Sequence, residues 1–276
     1  MSIWFITGAS RGFGALVAQH ALERGDAVVA TARDPKAIVD RIGSHPDLLT
    51  LALDVTRRDQ AIAAAQAAVD RFGAIDILLN NAGFGLLGAV EEASDDEIEA
   101  VFRTNVFGLL AVTQAVLPHM RMAGFGRILN ISSIGGYRGS AGFGVYGATK
   151  FAVEALTESL RAELAPLGIH VTAIEPGYFR TDFMDASSLK VSRTVIPDYS
   201  ETVGKVRANA GQVNGAQPGN PARLAEILVD LAHHPDPPVR LPLGADTVAA
   251  IEAKHASDTA ILDKWRAVAL STGFDR

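Results

Sequence analysis

Tyr146 and Lys150 stand four residues apart in a segment, 146–165, whose apolar residues Phe151, Val153, Leu156, Leu160 and Leu164 recur as one face of a helix. On a helix that spacing puts both side chains on one face. A phenol ionises near pH ~10, so a tyrosine exchanges protons at neutral pH only if its phenolate is stabilised, at about 1.4 kcal/mol per unit of pKa. An ammonium one turn away favours the ionised form. The pair is thus equipped for general acid–base chemistry, although an isolated Tyr and Lys at this spacing are usually plain surface residues. Ser132 and Ser133 follow the apolar run 127–131, where a hydroxyl can donate to a substrate oxygen or close a turn. Asn105 interrupts a helical stretch in which asparagine is a poor former. It either bends that helix through local hydrogen bonds or has work at the site.

A second kind of chemistry is written near the N-terminus. Thr7-Gly8-Ala9-Ser10-Arg11-Gly12-Phe13-Gly14 lies between the first apolar run and the first helical segment. There a helix start offers free N–H groups and a positive dipole end to an anion such as a pyrophosphate. Glycines let the backbone turn and approach it. The spacing, Gly-x-x-x-Gly-x-Gly, differs from the Gly-x-Gly-x-x-Gly form of many dinucleotide sites, and a tight turn alone would use the same residues.

These side chains need elements to hold them. Apolar runs at 3–7, 27–32, 48–53, 75–79, 127–131 and 169–174 alternate with longer segments of helical period. The runs lack polar alternation, as strands of a parallel sheet covered on both faces by helices do. The expected fold is α/β: a doubly wound, Rossmann-like parallel sheet in three α/β/α layers, a single domain over 1–276. Gly25 stops a helix over 15–24, and Asp34-Pro35 reads as an N-cap with proline at the first helical position. The alternation fails between Thr181 and Pro218. A connection this long in a compact domain is usually functional, so 181–218 is expected to be a substrate lid. A helix over 221–232, a strand over 239–243 and a helical C-terminal extension, 246–276, follow.

Composition excludes several roles. The chain of 276 residues is 48% hydrophobic and 20% charged, with a net charge of -6 and a pI near 5.6. No basic run or field would gather phosphate backbones, so no nucleic-acid partner is expected. Without cysteine there are no disulfides, thiolate nucleophiles or Cys-based metal sites. The seven histidines show no ligand spacing with Asp or Glu, so no metal is expected. The start of the chain reads as a strand rather than a signal peptide, and no stretch approaches the ~18 uncharged apolar residues of a membrane span. A soluble, cytoplasmic protein is expected.

The loop Thr7–Gly14, Asn80-Asn81-Ala82-Gly83, Ser133 and Tyr146-Gly-Ala-Thr-Lys150, in this order over about residues 3–181, resemble the classical short-chain dehydrogenase/reductase family. The resemblance implies hydride transfer between a nicotinamide cofactor and a carbonyl or alcohol. It assigns catalysis to Asn105, Ser133, Tyr146 and Lys150, with Ser133 chosen over Ser132 by its distance of thirteen residues from the tyrosine. Asn105 would hold water in a proton relay from Lys150, which would also hold the nicotinamide ribose. The implied cofactor contacts are Gly8, Ser10, Arg11, Gly12, Phe13, Gly14, Asp54, Val55, Asn81, Ala82, Gly83, Pro176, Gly177, Phe179 and Thr181, besides Tyr146 and Lys150. Asp54 has a second reading, as the cap of the helix beginning near Arg57.

NADP(H) is expected over NAD(H), because Arg33 ends the second strand where NAD enzymes place an acid against the ribose 2′-hydroxyl. Arg11 adds a second cation, and guanidinium forks suit phosphate oxygens. Asp34, the contrary signal, is accounted for as an N-cap. Phe84, Leu86, Phe143, Phe179, Phe183 and Met184 lie beside these motifs and predict a hydrophobic carbonyl or alcohol substrate if they line one cleft. Two rivals stand beside this reading: a non-catalytic NADP(H)-binding regulator, and an epimerase or dehydratase of the same fold. A homodimer or monomer is expected, because 240–276 replaces the glycine-rich ending associated with tetramers.

Overall fold

In the computed structural model, which describes residues 1–213 and 215–274, the apolar runs become the strands of one sheet. In chain order the elements are β1 (Ile3–Thr7), α1 (Gly12–Glu23), β2 (Ala27–Ala32), α2 (Lys36–Ile42), β3 (Leu48–Ala52), α3 (Arg58–Phe72), β4 (Ile77–Asn80) and β5 (Gly85–Leu87). Next come α4 (Asp95–Phe102), α5 (Leu109–Ala123), β6 (Gly126–Ile131), α6 (Gly144–Leu164), β7 (Ile169–Pro176) and β8 (Leu189–Val191). The chain closes with α7 (Lys205–Val213), α8 (Pro221–Ala232), β9 (Arg240–Leu243) and α9 (Ala245–Leu270). Asn214 of the expected lid and residues 275–276 of the expected extension lie outside the described residues.

The sheet runs β3-β2-β1-β4-β6-β7-β9, parallel throughout. Strands β1, β2 and β4 are buried along their whole length, which two helical layers require. On one face α1, α2 and α8 bury Val17, Ala18, Ile38, Leu224 and Leu228. On the other, Ala61, Ala64, Ala65 and Ala68 of α3 pack with Val112, Val116 and Met120 of α5. The order reverses between β1 and β4, and a crevice opens at the strands' carboxyl ends beside such a reversal. Every candidate side chain sits on a segment leaving those ends.

Several local readings are refined by the structure. Asp34 Oδ1 accepts the Lys36 N–H at 3.0 Å, as expected of a residue that ends the approach to α2, but the N-cap position itself is taken by Pro35 and α2 begins at Lys36. Pro242 is accommodated because β9 is an edge strand. The segment 181–218 is not an open loop: it holds β8, α7 and short turns, and β8 pairs with β5 in a second, two-stranded sheet. Residues Asp95–Ala123 form a continuous helix of 29 residues, π-helical over Arg103–Gly108, which by length and by the mean hydropathy of 1.4 of its most apolar 18-residue window could cross a membrane. Its Val101, Val112, Val116 and Met120 are buried in the protein core, the behaviour of a core helix.

Candidate active site

The glycine loop packs against the residues that follow β4, and at Gly8 and Gly14 a side chain has no room. Gly8 has φ +66°, and a Cβ there would lie 3.0 Å from the Ala82 Cα; one on Gly14 would lie 2.6 Å from the Gly8 oxygen. Asn81 braces this turn by donating its side-chain amide to the main-chain oxygens of Thr7 and Gly8 at 2.9 and 3.0 Å. Thr7 Oγ1 accepts from the amides of Asn81 and Ala82 at 2.9 and 3.0 Å. The start of α1 that follows carries neither a capping side chain nor an acid in its first turn. Its free N–H groups suit an anion held from outside.

This loop forms one wall of a cavity of about 760 Å³, within the range that encloses sizeable ligands. Among the sequence-predicted cofactor residues, all but Gly14 line it, as do Ser133, Tyr146 and Lys150. Gly14 lies beneath the loop. Arg33 is exposed, and no ion-pair partner occupies it among the described residues. Arg11 instead reaches across the cleft and donates to the Ser187 oxygen at 3.1 Å, so its guanidinium is partly spent on the segment 181–218. Asp54 does not cap α3: its Oδ1 accepts from the Thr56 amide and hydroxyl at 3.0 and 2.8 Å, closing a turn ahead of the helix.

At the far side, Pro176 ends β7 and Gly177 enters a turn braced by a residue that sequence reasoning missed, Asp246 of α9. Its Oδ2 accepts the Tyr178 N–H at 2.7 Å, and a Cβ on Gly177 would lie 2.2 Å from the same oxygen. Phe179 then packs edge-on against Phe13 with centroids 5.6 Å apart. Thr181 Oγ1 accepts from the Phe183 amide at 3.3 Å. The glycine loop, the turn after β7 and β4's end therefore enclose one half of the cavity. Phe84, Leu86, Phe143, Phe183 and Met184 line the same cavity.

Tyr146 stands where the two halves meet. Its ring contacts Phe183 at 5.7 Å and Phe143 at 6.2 Å. Burial pushes the phenol well above its ordinary value, and a hydrogen bond with Ser133 opposes that shift. Ser133 in turn caps a short turn by accepting the Gly135 N–H at 3.1 Å. Ser132 also lines the cavity, but its hydroxyl interacts with Glu154, so the two serines have different partners. Lys150 Nζ lies 5.7 Å from the Tyr146 centroid and donates to the Ile131 oxygen at 2.8 Å. Burial lowers its ammonium to about 8, with the Glu154 charge opposing.

Asn105 stays just outside the cavity wall. Its Oδ1 accepts the Phe84 N–H at 3.0 Å, and its Nδ2 donates to the Phe84 oxygen at 2.9 Å and to Thr149 Oγ1 at 3.1 Å. Thr149 Oγ1 donates to the Tyr146 oxygen at 2.7 Å. The side chain thus locks the post-β4 segment to α6 from within the π-helical turn, a widening often found at functional sites.

The family model described as short chain dehydrogenase matches residues 2–191. An oxidoreductase of Botryotinia fuckeliana, BOA17, is 38% identical over 277 residues, covering 98% of this chain and 98% of its own. The 3-ketodihydrosphingosine reductase of Bacteroides thetaiotaomicron is 35% identical, over 88% of this chain and 87% of its own. A solved short-chain dehydrogenase from Streptomyces avermitilis superposes with a TM-score of 0.92 at 39% identity, covering 99% of each chain. Two further structures, each with a TM-score of 0.72, hold nicotinamide cofactors. A 3-ketoacyl-(acyl-carrier-protein) reductase from Brucella melitensis, with NADH, is 28% identical over 88% of this chain and 96% of its own; a serine dehydrogenase, with NADP+, is 29% identical over 87% and 94%.

Proposed function

The chain belongs to the short-chain dehydrogenase family, and from that premise we propose that it reduces a hydrophobic carbonyl compound with NADPH, or oxidises the corresponding alcohol, using Tyr146 as general acid and base. The observation that carries this reading is the position of Tyr146, in a cavity walled by the braced glycine loop on one side and by Phe143 and Phe183 on the other. The cavity suits a dinucleotide: Gly12, at φ +55°, turns the loop at the cavity wall without a side chain, the start of α1 is uncapped, and Arg33 is a guanidinium unpaired among the described residues. The nicotinamide supplies or accepts the hydride.

The protein's own work is to bind, orient and move one proton. Ser133 donates to the substrate oxygen and aligns it with the phenol. Burial keeps Tyr146 protonated near neutrality, which suits it to give its proton to a carbonyl oxygen as hydride arrives at the carbon. In the alcohol direction the phenolate must form first, and the nearby Lys150 ammonium favours it. Both Nδ2 donors of Asn105 are committed and its Oδ1 already accepts the Phe84 N–H, so its part in a proton relay is assigned to its main-chain carbonyl in the π-helical turn. Tyr146→Phe removes only the hydroxyl. Turnover is expected to fall by ~10² or more while NADPH still binds; near-normal turnover of this variant refutes the assignment.

A further inference from the structure

One turn of α6 beyond Lys150 stands Glu154, 2% exposed, and facing it on β7 is Glu175, 1% exposed. Burying two carboxyls together is costly unless a cation or a shared proton relieves them. Arg240 of β9 serves both, its Nη1 lying 3.4 Å from Glu175 Oε1 and 3.6 Å from Glu154 Oε2, while its Nε donates to Glu158 at 3.0 Å. The guanidinium is held over the Tyr137 ring at 5.4 Å, and the Tyr137 hydroxyl bonds His255 of α9. Gly136 closes the space from the turn after β6: a Cβ there would lie 2.6 Å from Ser132 Oγ and 3.1 Å from Glu154 Cγ.

The Ser132 hydroxyl and the Glu175 carboxyl sit close enough to Glu154 to lower its proton affinity, yet both Glu154 oxygens and Ser132 Oγ make no hydrogen bond of ordinary geometry. Buried polar atoms left so poorly satisfied call for a reason other than architecture. The groups facing Glu154 are Lys150 and Glu158 on its own helix, Glu175 on β7, Arg240 on β9 and Ser132 at the end of β6; Tyr137 and His255 act on it through Arg240. Burial raises both carboxyls, Glu175 to about 7 with the Glu154 charge adding to the rise. The hydrogen bond between the two lowers Glu154 and raises Glu175, so Glu175 is the one that holds a proton more tightly and Glu154 is the one that keeps its negative charge, one helical turn from Lys150.

We propose that Glu154 is a positioning residue for the reaction: with Glu175, and under Arg240, it supplies the buried negative charge that keeps the Lys150 ammonium charged beside Tyr146. This rests on the reading of Tyr146 and Lys150 as the acid–base pair. Removing the charge lets Lys150 lose its proton at lower pH, and an uncharged amine no longer favours the phenolate.

The test follows Lys150 in the free protein by NMR of ε-13C-lysine, with its resonance assigned by its disappearance in Lys150→Met. In Glu154→Gln the Lys150 midpoint falls by one pH unit or more, a tenfold loss of proton affinity. Glu175→Gln leaves the charge on Glu154 and moves the midpoint less than half as far, and it keeps the test open if Glu154→Gln does not fold. In alcohol oxidation the acidic limb of kcat/KM moves to higher pH in Glu154→Gln, Glu154→Asp recovers part of the shift, and Glu163→Gln on the exposed side of α6 changes nothing. A midpoint unmoved in Glu154→Gln, or moved as far by Glu175→Gln, overturns the proposal. A fully active Tyr146→Phe would overturn the acid–base reading instead, whatever Lys150 does.

Discussion

Arg207 of α7 forms an ion pair with Glu92, whose side chain is completely buried beside the cleft. Glu92 also accepts the main-chain N–H groups of Ala89 and Ile196 at 2.7 and 2.8 Å. One carboxylate therefore ties three parts of the chain together: the strand exit after β5, the turn before Tyr199, and α7. Two neighbours extend the seam, with Glu91 accepting from the Tyr199 hydroxyl at 2.5 Å and Glu97 from the Arg193 amide at 3.1 Å. We read the segment 181–218 as a lid latched along this row of acids.

The latch should fail in acid. Burial alone would raise the Glu92 carboxyl, but Arg207 and the two amides outweigh it and hold the group at about 2. A depressed carboxyl contributes stability that is complete above its unfolded value near 4.5 and is lost as pH falls through about 2. Hydrogen exchange of residues 192–213 should therefore quicken between pH 4.5 and 2 ahead of the β-sheet amides. Glu92→Gln should show the fast exchange already at pH 7, and protection of that segment in the variant would refute the latch.

Cofactor choice is the next expectation. Arg33 is exposed and unpaired among the described residues, so Arg33→Ala should cost almost no stability. It should lower kcat/KM for NADPH by roughly tenfold or more, the scale of a lost charge-assisted contact, and leave NADH nearly unchanged. Arg11 contributes less, because its guanidinium already donates to Ser187. Parallel kinetics with both cofactors check this, and a variant that loses both equally would remove Arg33 from 2′-phosphate recognition.

What the sequence revealed and what it hid divide along physical lines. Apolar runs and glycine spacing act locally, so the sheet, the crevice and most lining residues could be read directly. The β5–β8 pair could not: each strand has three residues, too few for a period, and Gly85 meets Leu189 only after the chain has folded. Asn81 lines the cavity where a ligand contact was expected, and its amide also braces the glycine turn, a second role that only the folded chain reveals. Glu154, four residues past Lys150, reads as a solvated helix charge until β7 and β9 bring Glu175 and Arg240 against it. Asp246 likewise acts on a turn nearly seventy residues earlier, at Tyr178.

Substrate size gives the last prediction. Phe84, Leu86, Phe143, Phe183 and Met184 are among the residues lining the cavity, and Phe183 lies against the Tyr146 ring at 5.7 Å. Apolar surface removed from water contributes ~25 cal/mol per Å², so each buried methylene adds about 0.8 kcal/mol, a three- to fourfold gain per carbon until the space is full. In a homologous series of ketones at fixed NADPH, kcat/KM should rise with apolar size and then level off. Phe183→Ala should shift that plateau toward bulkier ketones and weaken small ones, because it enlarges the space next to Tyr146. A flat series, or a preference for polyhydroxylated carbonyl compounds, would eliminate the hydrophobic substrate class. The Tyr146 assignment would survive that result, since it depends on the proton and not on the substrate's far end.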